Sequence, residues 1–473
     1  MRRIVLALAL AVLGCGDAAD DSATLALWRW NEIAQRVAGV DHERVPDDGD
    51  PRSGGWQIGP TRTSRAFALV QIAVADAVAA TGGAFAPYLP TAPAPRPCAA
   101  PAAVAQAAAD TLRALYPRQA AALDADLARA LAGLADGDAK SCGVAVGRAS
   151  AAAILAARAR DGAELQTPFQ PVEYTYGDQP GAWRADPAPL ELPPLTPGWG
   201  LVEPFVIASG AAWRAPPPPP LDGLAYAEAF AEVRALGGDG VLTATARSAD
   251  ESLAAIYWAY DGQPFLCAPV KLYNQIAVHL ARQQGLDAAD SARLLALVNI
   301  AMADTAIALW ESKYHYALWR PVTAIREADP GSGPSGLGDG NPLTLGDPTW
   351  TPLGAPAAWN GPSPANFTPP FPAYPSGHAG FGAALFETLR HVFGRDDLAF
   401  TFVSDELNGT TIGWDGSRRR RVPRHFSSLS QAEAENARSR VWLGVHFAFD
   451  AAAGVDQGRA IAARVVATTY RWN

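Results

Sequence analysis

Alanine- and leucine-rich segments with an apolar residue every three or four positions recur from Leu25 almost to the C-terminus. This helical period constrains the fold more than any other feature of the chain. The segments fall at 64–81, 101–116, 119–136, 143–161, 223–236, 247–259, 269–284, 287–312, 313–327, 377–394, 400–406, 428–449 and 453–469. They carry few β-branched runs, and no sustained strand alternation or clean repeat interrupts them. The expected fold is all-α, built of helical bundles packed together.

The chain has 473 residues, of which 49% are hydrophobic and 18% charged, so a sizeable core is affordable. That length permits one large domain or two to three smaller ones. Composition suggests where the divisions fall. Residues 18–24 read as a short tether and 25–163 as an N-terminal helical region. Proline becomes dense over 164–222, reaching a run of five at 216–220, with Trp183, Trp199 and Trp213 scattered through it. That stretch reads as an irregular connection covering or linking helical layers. Residues 223–473 form the expected catalytic bundle, interrupted by a Gly/Pro/Asn-rich excursion at 329–374.

Met1-Arg2-Arg3 precedes an apolar stretch from Ile4 to Leu13 and then Gly14-Cys15. The stretch is too short to span a bilayer and suits a signal peptide over 1–15. Val-Leu-Gly-Cys at its end resembles a bacterial lipobox, with Cys15 as the lipidated residue; an ordinary secretory signal with a chance cysteine is the alternative. Either reading places the protein outside the cytoplasm, in the periplasm or cell envelope, with membrane contact only through an acyl anchor. No apolar run of about 20 residues follows, as a spanning helix would need. Export permits a disulfide, and Cys98 with Cys142 is the natural pair, leaving Cys267 as a buried thiol. No cysteine or histidine spacing suggests zinc. A net charge of −9 argues against a nucleic-acid partner. The single basic run, Arg418–Arg421, reads as a solvated loop.

Three fragments stand out against this background. They are Lys313-Tyr-His-Tyr-Ala-Leu-Trp-Arg320-Pro321, Pro375-Ser376-Gly377-His378 and Ser439-Arg440-Val-Trp-Leu-Gly-Val-His446. Together they hold three permanent cations, a hydroxyl, a glycine amide and two imidazoles, a set suited to gripping an oxyanion. On one helix, Lys313 and Arg320 would share a face about 10 Å apart along the axis. Pro321 disfavours helical backbone at Arg320, so a bend is expected there. Ser376 and Gly377 begin an apolar helix, where free amides and the helix dipole favour an anion. Ser376 serves there either as N-cap or as a donor to the ligand. Arg440 and His446 would lie about 120° apart on an ideal helix and converge only if the arginine reaches round or Gly444 permits distortion. Asp450, one turn beyond His446, is placed either to buttress the helix or to hydrogen-bond the ring.

The order Lys-x6-Arg-Pro, Pro-Ser-Gly-His, Ser-Arg-x5-His resembles the three-part signature uniting vanadium-dependent haloperoxidases with type 2 phosphatidic acid phosphatases and bacterial acid phosphatases. The surroundings resemble the fungal vanadium chloroperoxidase type over roughly 223–465: Ile256–Gly262, Leu272–Ile276, Trp310–Lys313, Pro370–Tyr374, Asp405–Gly409 and Phe449–Ala453. The resemblance implies that fold, and vanadate as cofactor with phosphate as competing oxyanion. It implies that Lys313, Arg320, Arg440, Ser376 and Gly377 hold the equatorial oxygens and that His446 ligates the metal. His378 would act as acid–base at the opposite apex, where hydrogen peroxide enters and Lys313 polarises it. Halide attack would then release hypohalous acid to a small organic acceptor. Asp261 would pair with Arg440. Trp310 and Phe371 would line the halide side, with Phe371 matching the chloroperoxidase type where bromoperoxidases tend to carry His. Departures are Tyr314 and His315, where that type has Trp and Glu, and Phe447-Ala448 after His446.

Two other functions fit parts of this pattern. A secreted acid phosphatase would use the same residues, with His446 attacking phosphorus and His378 protonating the leaving group. A non-catalytic helical lipoprotein would retain the fold with a decayed site, although every ligand position is filled.

Overall fold

The computed structural model describes residues 18–43, 55–90, 93–94, 97–166, 174–185, 193–356, 366–413 and 416–473. Among them are thirteen α-helices. The N-terminal set is α1 (Ala18–Asp41), α2 (Gly59–Gly82), α3 (Ala100–Leu115), α4 (Ala120–Ala132) and α5 (Asp138–Ala157). The second set is α6 (Leu224–Leu236), α7 (Ala249–Tyr257), α8 (Pro269–Gln283), α9 (Ala288–Tyr316), α10 (Pro321–Arg326), α11 (Gly377–Phe393), α12 (Leu429–Trp442) and α13 (Ala448–Thr468). The all-α expectation holds. The segment read as a tether at 18–24 is the first part of α1. The signal and Cys15 lie outside the described residues.

The expected helix at 400–406 is instead a strand, β1 (Phe400–Phe402), and a 3-10 turn at Asp405–Leu407. Phe-Thr-Phe is a sequence of strand formers, and β1 pairs antiparallel with β2 (Arg424–Phe426). The Phe400 and Phe426 rings meet across that pair at 5.0 Å.

The axis of the molecule is α9. It is buried along nearly its whole length and packs against α2 on one side and α8, α11 and α13 on the other. One apolar core therefore runs from α1 through α13. Two helices, α2 and α9, are long and apolar enough to cross a membrane, contrary to the expectation of no such run. Their candidate windows are 78% and 94% buried in protein, as core helices are. Helices α11 and α13 approach unusually closely, because a Cβ at Gly458 would lie 2.2 Å from the Gly380 carbonyl oxygen.

Cys98 and Cys142 form a disulfide with Cα atoms 5.2 Å apart, tying the start of α3 to α5. Cys267 is a buried free thiol whose ionisation burial pushes up to about 12. The described part of the proline-dense connection is a strap held on the C-terminal half of α9. Asp304 in α9 accepts the amides of Phe205, Val206 and Ile207 at 2.6, 2.8 and 3.0 Å. Tyr316 and Tyr374 donate to the Ala215 and Pro216 carbonyls. Trp183 and Trp199, both within the strap, are buried.

Candidate active site

Three chain breaks bring the site together. Helix α9 ends at Tyr316, where Ala317 turns left-handed at φ 46° and its amide closes on Lys313 O. Pro321 then starts α10 and holds Arg320 extended at φ −83°, ψ 157°. Lys313 and Arg320 thus approach from a helix end and a link, not from one helical stripe as expected. Likewise α12 stops at Trp442, and Gly444 turns at φ 74°. A Cβ there would meet the Gly237 carbonyl oxygen at 2.6 Å, so only glycine fits the turn. This reversal brings His446 back beside Arg440, which one continuous helix over 428–449 would not do. The third break is the loop feeding α11, where the Ser376 amide donates to Asp450 O at 2.8 Å.

The side chains converge. Lys313 Nζ donates to the Pro372 and Ala373 carbonyls, each at 2.9 Å, which leaves its third proton for a ligand. Arg320 donates to Phe371 O at 2.8 Å and Val445 O at 2.9 Å, and its Nη1 lies 3.0 Å from His446 Nε2. Arg440 forms a two-bond fork with Asp261, both at 3.0 Å. His446 Nδ1 lies 3.0 Å from Asp450 Oδ2. His378 Nε2 donates to the Ala259 carbonyl and sits 3.8 Å from Asp261.

Ser376 makes no side-chain cap on α11, so the N-cap role does not explain it. Its hydroxyl, together with Arg440 Nε, is buried and has no hydrogen-bond partner among the described residues. Buried donors left unmatched cost about 1–3 kcal/mol each, more when charged, so a ligand is the natural partner. The donor set matches a tetrahedral oxyanion: Lys313, Arg320 and Arg440 cations, the Ser376 hydroxyl and the amides that open α11.

Electrostatics point the same way. Burial, followed by the Arg320 charge, drives Lys313 well below its ordinary lysine value. Burial and then Arg320 likewise hold His446 far below the usual imidazole range. His378 falls to about 3, through burial first and Arg440 second. Asp450 is pushed up to about 7 by burial, opposed by the Phe447 amide and Lys313. The pocket is crowded with positive charge that resists further protonation until an anion enters.

An apolar cleft opens onto these groups. Trp310, Phe371, Leu195, Pro370 and Phe381 line it, and it ends on His378, Arg440 and His446. The Trp310 and Phe371 rings lie 4.9 Å apart, and Lys313 Nζ is 5.1 Å from the Phe371 centroid. Leu195 ties the strap to this wall, since its carbonyl accepts from Trp310 Nε1 at 3.1 Å and Tyr314 Oη at 2.9 Å.

Comparison with known proteins agrees with this geometry. Residues 293–472 match the model of the VCPO second helical-bundle domain. Over 264 residues the chain is 39% identical to the vanadium chloroperoxidase of Curvularia inaequalis. Over that stretch the chain is similar to a vanadium chloroperoxidase. That match covers 49% of this chain and 41% of the Curvularia protein, so less than half of the relative's length is matched. The fold extends further. A bacterial vanadium-dependent iodoperoxidase superposes with TM-score 0.73 at 24% identity, covering 95% of this chain and 97% of that one. A holo-type bacterial vanadium-dependent chloroperoxidase gives TM-score 0.65 at 18% identity, covering 89% and 95%. Within this haloperoxidase fold, the N-terminal helices are therefore shared as well as the C-terminal bundle.

The candidate site residues Lys313, Arg320, Ser376, Gly377, His378, Arg440, His446, Asp261, Trp310 and Phe371 lie in or beside the site. Several residues that matter were not singled out from sequence. Tyr273 Oη and Asn436 Nδ2 both donate to the His378 carbonyl, at 3.0 and 2.9 Å, and so fix the first turn of α11. Asp304 was legible as a lone acid in the apolar run Ala296–Leu309. Asn436 had no such signal beyond lying one helical turn before Arg440.

Proposed function

We propose that this protein is a vanadium-dependent haloperoxidase, converting halide, hydrogen peroxide and a proton to hypohalous acid and water. The observation that carries the reading is the convergence of Lys313, Arg320, Arg440 and Ser376 around His446, with Ser376 Oγ and Arg440 Nε buried and unmatched among the described residues. These groups, with the Gly377 amide, would hold vanadate, and His446 Nε2 would ligate it. Vanadate supplies the Lewis-acidic centre that activates peroxide toward halide.

The protein's own part is positioning and proton handling. Asp450 keeps the proton on His446 Nδ1, so Nε2 presents its lone pair. The Ala259 carbonyl keeps a proton on His378 Nε2, so Nδ1 is the nitrogen that takes one from peroxide. Lys313 directs its remaining proton at the bound oxyanion. Trp310, Phe371 and the proline walls give halide an apolar approach with little competing water. Phosphate would occupy the same donors. A phosphatase remains the second reading, because the same His446 tautomer suits a nucleophile on phosphorus. The Cys98–Cys142 disulfide supports an exported protein.

The deciding experiment is one assay series on purified protein. Monochlorodimedone halogenation with vanadate, peroxide and chloride, bromide or iodide is compared with p-nitrophenyl phosphate hydrolysis without vanadate. Halogenation that requires vanadate supports the proposal. Phosphate-ester turnover with no halogenation replaces it with the phosphatase.

A further inference from the structure

The histidine read as acid–base is held from behind by a turn outside the three anion-binding fragments. Ala259 and Tyr260, just beyond α7, are fully buried. Tyr260 sits at φ 43°, a left-handed conformation that a tyrosine rarely adopts. The turn has two outputs. The Ala259 carbonyl accepts from His378 Nε2, and the next residue, Asp261, accepts both Nη groups of Arg440. A carbonyl can only accept, so the aim of this turn decides which imidazole nitrogen carries the proton.

The turn is gripped at three points by Ser404–Leu407. The Tyr260 amide donates to Glu406 Oε1 at 2.9 Å. The Tyr260 hydroxyl accepts the Asp405 amide at 2.7 Å, and Ser404 Oγ donates to Tyr257 O at 2.7 Å. Glu406 is fully buried, and its other oxygen is taken by Arg419. Arg419 belongs to the basic run expected to be solvated. Arg418, Arg420 and Arg421 are exposed, whereas the Arg419 side chain is 9% exposed and turned inward. A buried ion pair is poor value as stability alone, which makes a role in fixing one geometry the better account.

We infer that Glu406, secured by Arg419, is a positioning residue for catalysis: it locks the Tyr260 turn and so fixes His378 as the Nε2–H tautomer. The inference rests on the reading of His378 as the acid–base group. Neither Glu406 nor Arg419 touches the oxyanion donors.

The test uses the full chain, with and without vanadate, as wild type, Glu406→Leu, Glu406→Gln, Arg419→Gln and the exposed-neighbour control Arg420→Ala. The first readout is the 15N spectrum of the His378 ring, assigned by its loss in His378→Ala. Wild type and Arg420→Ala should show the single Nε2–H tautomer, and Glu406→Leu a mixture. In halogenation, Glu406→Leu should lose roughly 100-fold in kcat while vanadate affinity moves less than about threefold. Glu406→Gln keeps an acceptor for the Tyr260 amide and should restore the tautomer. Should Glu406→Leu not fold, Arg419→Gln is expected to move both readouts the same way. A folded Glu406→Leu or Arg419→Gln protein with the wild-type tautomer and kcat overturns the inference. A wild type that halogenates nothing overturns the haloperoxidase reading instead, and the tautomer measurement still decides the brace.

Discussion

Asp450 Oδ2 lies 3.0 Å from His446 Nδ1 and accepts the Phe447 amide at the same distance. The oxygen is thus an acceptor twice over, and Nδ1 must be the donor. That one contact sets the chemistry of Nε2, the nitrogen facing Arg320.

His446→Ala should therefore abolish peroxidase turnover and release vanadate. Asp450→Ala should leave the ring unfixed and weaken vanadate retention by roughly 10–100-fold. Equilibrium dialysis measures vanadate retention in both variants, and halogenation kinetics measure turnover. Full turnover in His446→Ala would refute the assignment of that histidine.

The helical class and the site residues were legible because both are carried by local signals: a 3.6-residue apolar period, and charged or polar groups in apolar settings. How the residues meet was not. Lys313 and Arg320 read as one stripe because nothing in Tyr314–Trp319 marks the left-handed turn at Ala317, a residue that seldom adopts it. Gly444 did mark a break, yet its need for glycine comes from Gly237, over 200 residues away, which no local pattern reveals. Arg419 looked solvated because its partner Glu406, 13 residues earlier, is buried in a 3-10 turn within a stretch that reads as helix.

His378→Ala removes a ring whose Nε2 already belongs to Ala259, not to the anion donors. It should bind vanadate within about tenfold of wild type yet lose turnover by roughly 100-fold or more, the usual size of a general acid–base contribution. Dialysis and halogenation kinetics on the same sample separate the two effects. Loss of vanadate equal to the loss of rate would make His378 a ligand instead.

Inorganic phosphate should compete with vanadate for the empty protein, because the donors recognise a tetrahedral array of oxygens. At about 100 times its dissociation constant it should add about 2.7 kcal/mol of stability, visible as a rise in Tm. Vanadate binding that ignores saturating phosphate would argue against a shared site.

Acid should destabilise the empty protein in a way His378 helps to set. Its folded value of about 3 lies below its ordinary 6.5, so between those values the unfolded chain binds more protons. Stability from this group is complete above pH about 6.5 and is lost as pH falls toward about 3. Asp450 acts oppositely, since its value is raised to about 7 and its contribution fades as pH rises toward that value. His378→Gln should flatten the acid-side loss by about 2 kcal/mol between pH about 6.5 and 5. Urea unfolding of both proteins at the two pH values checks this, and parallel losses would sink it.

Asp304 is the anchor of the strap, one carboxylate receiving three consecutive amides from a segment almost 100 residues earlier. Burial pushes it up to about 6, while the same three amides pull it down. Asp304→Ala would leave those amides facing an apolar helix and should cost roughly 3 kcal/mol or more. Because the strap also carries Leu195 on the wall of the cleft, its loosening should expose the segment around 193–215 to limited proteolysis before global unfolding. A variant cleaved no faster than wild type would mean that Tyr316, Tyr374 and the buried Trp183 and Trp199 hold the strap without it.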